Sequence, residues 1–330
     1  MPLSGEDRLL HWLRSRLRGG LIGDDAVVLG DRGQLAITVD SQIEGVHYDT
    51  GLDPAHLARR LLAVNLSDLA AMGAQPAWAL LALATARGFD HRRFFRSLIA
   101  ACDRHGVLLA GGDLATSPRA NVATLTLIGT QPTGGRWLRR SEAKPGHDLW
   151  LGGPAGESAA GRMLIDRGAR FDGRRVELPQ AFESPAALRA AGRRAVRRHI
   201  FPQPQLALGL WLGQQNEGAA MDVSDGVARD LRRLCRESGV GAEVEAGALP
   251  FAAGFPSLCA ALGTDPLRLA LGGGEDYVLL FTLPAGNAPP ERLGAKRIGR
   301  ITRSVRLVLQ RDGMREELPD LGWDHLSETS

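Results

Sequence analysis

Residues 61–76 read LLAVNLSDLAAMGAQP, and one aspartate, Asp68, interrupts an otherwise apolar run. Upstream, Asp53 and Pro54 make a helix start, a capping side chain followed by proline in the first turn. Leu57, Leu61 and Val64 then recur at steps of four and three, the spacing of one helix face. The next slot on that stripe is Asp68. The pattern predicts a helix over about 54–72 whose buried side carries a carboxylate. An unpaired buried carboxylate costs roughly several kcal/mol, so Asp68 requires either an arginine or a metal.

Around this helix, 34–39 (QLAITV), 77–85 (AWALLALAT), 106–110 (GVLLA) and 122–129 (VATLTLIG) have strand composition, and a second helical pattern covers 90–105. Strands and helices alternate, which predicts an α/β or α+β first half. The turn-rich run 130–148 (TQPTGGRWLRRSEAKPGHD) is the candidate junction and divides the chain into domains 1–140 and 141–330. In the second half, helices are expected over SAAGRMLIDRG and near 186–198, 204–215 and 226–237. Strands are expected at GAAMDV, 277–283 and 305–310, with 166–185 as loop.

A chain of 330 residues accommodates two domains. Its net charge of +3 hints at nucleic acid, but the basic residues, almost all arginine, are interleaved with acids. The densest run, 192–199 (GRRAVRRH), spaces its arginines as one solvated helix face, so no nucleic-acid partner is expected. Cys102, Cys235 and Cys259 share no metal-ligand spacing and cannot all pair, which suits a reducing cytoplasmic setting. The N-terminus lacks the apolar stretch of a signal peptide, and Ser4 with Asp7 forms a capping-box pattern. Residues 69–86 are uncharged, but Gly73, Gln75 and Pro76 break them, so no membrane span is expected.

Three apolar strands run into aspartates: LAITV into Asp40, VLLAGG into Asp113, and GAAM into Asp222, which is followed by Ser224 and Asp225. Asp24–Asp25, Asp68 and Glu275–Asp276 enlarge the set. Each acid beside glycine also suits an ordinary turn. Taken together, oxygen donors with almost no histidine or cysteine select a hard cation, Mg²⁺ or Ca²⁺, and the EF-hand spacing is missing. The glycines of AGGD and LGGGED allow backbone N–H groups to approach phosphate oxygens. The composition therefore points to several Mg²⁺ ions handling a polyphosphate. Neither a P-loop nor the protein-kinase motif set is present.

IGDDAVVL, AVNLSDLAAMGAQPAW, GGDLATS, RSEAKPGHDLWLGG, DVSDGVARDL, GGGEDYVLLF and the terminal GWDHL occur in this order. This series closely resembles the thiamine-monophosphate kinase family of the aminoimidazole-ribonucleotide-synthetase-like superfamily. The resemblance implies ATP-dependent phosphorylation of thiamine monophosphate to thiamine diphosphate. It also implies a homodimer: an α/β N-terminal domain whose sheet pairs across the dimer, an α+β C-terminal domain, and an active site in the cleft. Metal ligands carried over are Asp25, Thr38, Val39, Asp40, Asp68, Asp113, Asp222 and Asp225. Gly112, Arg140 and Ser224 match ATP-touching positions; His47, Glu275 and Trp323 match positions that touch the thiamine substrate. No residue matches a general base. Where the family usually has a hydroxyl, this chain has Val39, which offers only its carbonyl. Two alternatives stay open, another ATP-using synthetase of the superfamily and a non-catalytic nucleotide-binding maturation protein.

Overall fold

A computed structural model describes residues 8, 24–29 and 35–324. The Ser4–Asp7 capping box lies outside the described residues. Two compact units emerge. The first takes in Asp25–Trp137 and Ile200–Asn216; the second takes in Asp24, Leu138–His199 and the chain from Glu217 onward.

The first unit runs β1 (Val27–Leu29), β2 (Leu35–Ile43), α1 (Pro54–Ala71), β3 (Gln75–Thr85), α2 (His91–Arg104), β4 (Leu108–Thr116) and β5 (Val122–Thr130). Among the described residues its sheet has the order β1-β2-β5-β3-β4, antiparallel except for the parallel pair β3–β4. The chain then builds β6 (His147–Leu151), α3 (Glu157–Asp166), β7 (Arg170–Phe171), β8 (Val176–Glu177) and α4 (Ala186–Ile200). It returns to the first unit for α5 (Leu206–Gly213). The second unit resumes with β9 (Ala220–Asp222), α6 (Val227–Ser238), β10 (Gly241–Glu245), α7 (Phe255–Leu262) and α8 (Pro266–Gly272). It ends with β11 (Leu279–Pro284), β12 (Lys296–Thr302), β13 (Leu307–Arg311) and β14 (Met314–Glu317). Its main sheet has the order β14-β13-β10-β12-β6-β11-β9 among the described residues. Leu149, Val244, Leu280 and Ile298 from this sheet pack with Leu231 and Leu234 of α6 and Leu271 of α8. The architecture is the expected mixture of helices with several sheets.

The start of α1 follows from its sequence: the Asp53 carboxylate accepts the Ala55 N–H at 2.9 Å and Pro54 occupies the first turn. The expected single buried stripe is too narrow, however. Leu62, Leu66 and Leu69 are as buried as Leu57 and Leu61, because α1 packs on β2 and β5, on α2 and on α5. A Cβ at Gly209 of α5 would stand 2.0 Å from the Ala70 carbonyl, so glycine lets the two helix backbones touch. Asp68, expected to be buried, is half-buried.

Other expectations are corrected by the ladders. Asp40 and Asp113 do not end their strands. β2 continues to Ile43 with Asp40 opposite Leu125, and β4 continues to Thr116 with Asp113 opposite Ala82. Backbone pairing carries the ladder through polar positions that side-chain composition alone assigns to turns. The solvated arginine face of α4 is half true. Arg193 and Arg197 are exposed, whereas Arg194 binds Glu157 at 2.6 Å and Arg198 donates to the Asp276 carbonyl at 2.9 Å. The 166–185 loop contains the small β7–β8 ladder.

The two sheets end differently. β14, a sheet edge, is the charged sequence MREE. The edge strand β4 exposes Leu108 (62%) and Leu114 (61%). Among the described residues no helix is long and apolar enough to cross a membrane.

Candidate active site

In the first unit, β2 and α1 present the central group. Thr38 is buried on β2 and donates its hydroxyl to Asp68 Oδ2 on α1 at 2.5 Å. A carboxylate oxygen of Asp25, just before β1, lies within 4.8 Å of one from Asp68. Two carboxylates and a hydroxyl so close form an oxygen-only donor set, which suits a hard cation. Asp40, half-buried, is two residues beyond Thr38 on the same strand and therefore on the same face. Val39 points to the opposite face and is 60% exposed.

Gly112 and Asp113 lie inside β4 and are exposed. A Cβ at Gly112 would stand 1.8 Å from the Leu81 carbonyl, so packing of β3 on β4 by itself demands glycine there. His47 sits in the turn after β2, its Nδ1 accepting the Ile43 N–H at 3.1 Å.

In the second unit, three loops are stitched through backbone groups. Asp222, buried, ends β9 as expected, and the chain turns through Ser224 and Asp225 into α6. The Ser224 carbonyl accepts the Glu275 N–H at 2.7 Å, and the Asp225 carbonyl accepts the Trp323 N–H at 3.0 Å. A Cβ at Gly274 would stand 2.7 Å from the Ser224 oxygen, which explains one glycine of GGGED by packing. Glu275 adopts φ +64°, a left-handed conformation that costs a non-glycine residue about 1 kcal/mol. Its carboxylate lies 3.4 Å from Nδ1 of the buried His199, which also contacts Ser158 Oγ at 3.1 Å. Trp323 is 46% exposed and, with Arg268 and Gly272, Gly273, Gly274 and Gly322, lines a cavity of about 340 Å³. Arg140 opens a 3-10 turn. Its N–H donates to Asp24 Oδ1 at 2.9 Å, and Arg139 binds Asp24 Oδ2 at 2.9 Å. The Asp24–Asp25 pair thus divides its work, Asp24 anchoring this turn.

Asp225 differs from the acids of the first unit. Its Oδ2 lies 2.6 Å from Arg233 and 3.6 Å from Arg229. Below it, the fully buried Asp230 accepts the Asp225 N–H at 3.0 Å; burial first, then the neighbouring Asp225 charge, pushes its pKa up to about 7. Asp276 is also fully buried, and burial raises its pKa to about 6. It accepts the N–H groups of Gly156 (2.5 Å) and Ser158 (3.0 Å), capping α3, whose N-cap glycine has no side chain of its own. Arg229, Arg233, Asp230 and His199 were not among the expected site residues. For Arg229, Asp230 and Arg233 the available signal was the run Asp225, Arg229, Arg233 at steps of four, with Asp230 on the same helix.

Residues 23–131 match the family described as AIR synthase related protein, N-terminal domain. The thiamine-monophosphate kinase of Salmonella typhimurium is 36% identical over 319 residues, 93% of this chain and 91% of the relative. The solved structure of AaThiL complexed with AMPPCP and TMP is 27% identical, covers 99% of both chains and superposes with a TM-score of 0.85. The HypE–HypF complex contains a chain with a TM-score of 0.71 at 19% identity, a likeness of fold alone.

Proposed function

The chain belongs to the thiamine-monophosphate kinase family, and we propose that it transfers the γ-phosphoryl group of ATP to thiamine monophosphate, giving thiamine diphosphate and ADP. The observation that carries this reading is the group Asp25, Thr38 and Asp68, whose oxygens gather within a few ångströms on the first unit. The relative complexed with AMPPCP and TMP supports the same pair of substrates. The likeness to HypE, being of fold alone, does not favour the maturation-protein alternative.

The proposed ligands for Mg²⁺ are Asp25, the Val39 carbonyl, Thr38, Asp40, Asp68 and Asp113 on the first unit, with Asp222 and Asp225 on the second. Magnesium bound there supplies charge neutralisation between two phosphate anions. Arg140 and the Ser224 and Gly112 backbones hold ATP; His47, Glu275 and Trp323 hold thiamine monophosphate, the indole lying against the cationic thiazolium for about 0.5–2 kcal/mol. The nucleophile is a phosphate oxygen of thiamine monophosphate. Its second pKa lies near ~6, so it is mostly dianionic at neutral pH and no side chain has to remove a proton. Transfer is direct and in line, through a ternary complex.

The division into an ATP- and Mg²⁺-binding domain (1–140) and a second domain (141–330), out of which Ile200–Asn216 returns to the first unit, and the cytoplasmic setting, belong to the same proposal; Cys102, Cys235 and Cys259 are all buried free thiols, which accords with a reducing compartment. So does the homodimer, for which the exposed apolar edge β4 is the pairing strand. Leu114→Lys should shift the sedimenting species to the monomer. Incubation with ATP, Mg²⁺ and thiamine monophosphate should yield thiamine diphosphate by chromatography. ATP chiral at the γ-phosphorus should give inversion; net retention would refute direct transfer.

A further inference from the structure

We propose that Arg229 and Asp324 form a clasp that positions the indole of Trp323 and thereby sets the affinity for thiamine monophosphate; this rests on the reading of Trp323 as a substrate contact. Arg229 lies in the first turn of α6. Its Nε is 3.6 Å from Asp225 Oδ2, and its Nη2 is 3.5 Å from Asp324 Oδ1. Between the two carboxylates the chain is pinned a third time, by the Trp323 N–H donated to the Asp225 carbonyl at 3.0 Å. Gly322, at φ +129°, lies against the stem of the same arginine. A Cβ there would stand 2.6 Å from Arg229 Cβ and 2.8 Å from the Asp225 carbonyl oxygen. Residues 322–324 are thus laid along one guanidinium arm.

The charged groups are largely withdrawn from solvent, with side-chain exposures of 13% for Arg229 and 11% for both Asp225 and Asp324. Their attraction is therefore screened less than that of a surface pair. Trp323 is 46% exposed, so burial alone does not aim it. Its backbone, beside the cavity lined by Gly272, Gly273 and Gly274, is held on one side by Asp225 and on the other by Asp324. Arg229 and Asp324 are positioning residues: they act on substrate through Trp323.

The test is steady-state kinetics of the full-length magnesium-loaded enzyme, with Asp324→Asn, Arg229→Gln and the double variant. Asp324→Asn keeps side-chain size and leaves Asp225 with both its arginines. It should raise KM for thiamine monophosphate about fivefold to tenfold, as expected for loss of a partly buried pair. Its kcat and KM for ATP should stay within about twofold, and its melting temperature within about 2 °C. Calorimetric titration with thiamine monophosphate, without ATP, should show Kd weakened by the same factor. The double variant should raise that KM no further than the worse single variant, because both remove one clasp. An unchanged KM for thiamine monophosphate in Asp324→Asn, an equal rise in both KM values, or additive effects in the double variant would overturn the clasp. A wild-type enzyme unable to phosphorylate thiamine monophosphate would instead overturn the parent reading, and the clasp with it.

Discussion

Asp68 of the first unit and the buried acids Asp230 and Asp276 of the second are held by different means. In the first, Asp68 is half-buried and takes a threonine hydroxyl, with the Asp25 carboxylate within 4.8 Å. In the second, Asp225 meets two arginines, Asp230 is fully buried beneath it, and Asp276 takes two backbone N–H groups. Asp230 and Asp276, which organise the fold, are thus surrounded by donors the chain itself provides. Carboxylates crowded against one another, as Asp25 and Asp68 are, suit a hard cation.

The strongest attempt to break this contrast is Asp68→Asn. If Asp68 serves a metal, kcat should fall by about a thousandfold or more, while the melting temperature in chelator stays equal or rises, since negative charge leaves a crowded site. A large drop in that melting temperature would make Asp68 a structural acid like Asp230 and Asp276.

Asp276→Ala probes the other side. It strips the Gly156 and Ser158 N–H groups of their acceptor and removes the charge beside Arg198. A loss of about 3 kcal/mol in urea unfolding is expected; a loss below about 1 kcal/mol would make the cap dispensable.

A finer version uses pH. Asp276 has its folded pKa raised to about 6 from 3.8, so its folded form binds the proton more tightly than its unfolded form. The stability it contributes is complete below about 3.8 and is lost as pH rises through about 6. Between pH 7 and pH 5 the wild type should therefore gain on the order of 1 kcal/mol relative to Asp276→Asn, which lacks this titration. Parallel pH curves for the two proteins would contradict the assignment.

The smallest effect is expected at Val39, whose side chain is exposed while only its carbonyl is a proposed ligand. Val39→Thr should barely alter the Mg²⁺ concentration needed for half activity. A tenfold fall, worth about 1.4 kcal/mol, would show that a hydroxyl ligand had been missing.

Local rules exposed much of this in the sequence. Asp53–Pro54 gave α1 its start, and β3, β5 and α2 follow their patterns closely. The misreadings at Asp40 and Asp113 arose because aspartate and glycine were taken as turn residues, whereas cross-strand pairing with β5 and β3 carries both strands onward. Short α7 and α8, and the strands β10 and β12, were not expected. Their seven to eight and five to seven residues give periodicity little room to develop. Glu275–Asp276 was legible as a pair of acids, but not that Asp276 turns inward to cap a distant helix. That role depends on Gly156, 120 positions away.

The return of α5 to the first unit has a consequence for synthesis. That unit's first stretch ends at Trp137, yet its last residue is Asn216, 216 − 137 = 79 positions later. At about 5–20 residues per second, the nascent chain takes roughly 4–16 s from completing that first stretch to delivering the segment whose helix covers α1. During that interval Leu206, Leu208 and Gly209 are missing from a layer already built around Leu69 and Ala70. A ribosome-bound chain halted between these points carries an apolar face that only its own later sequence can close.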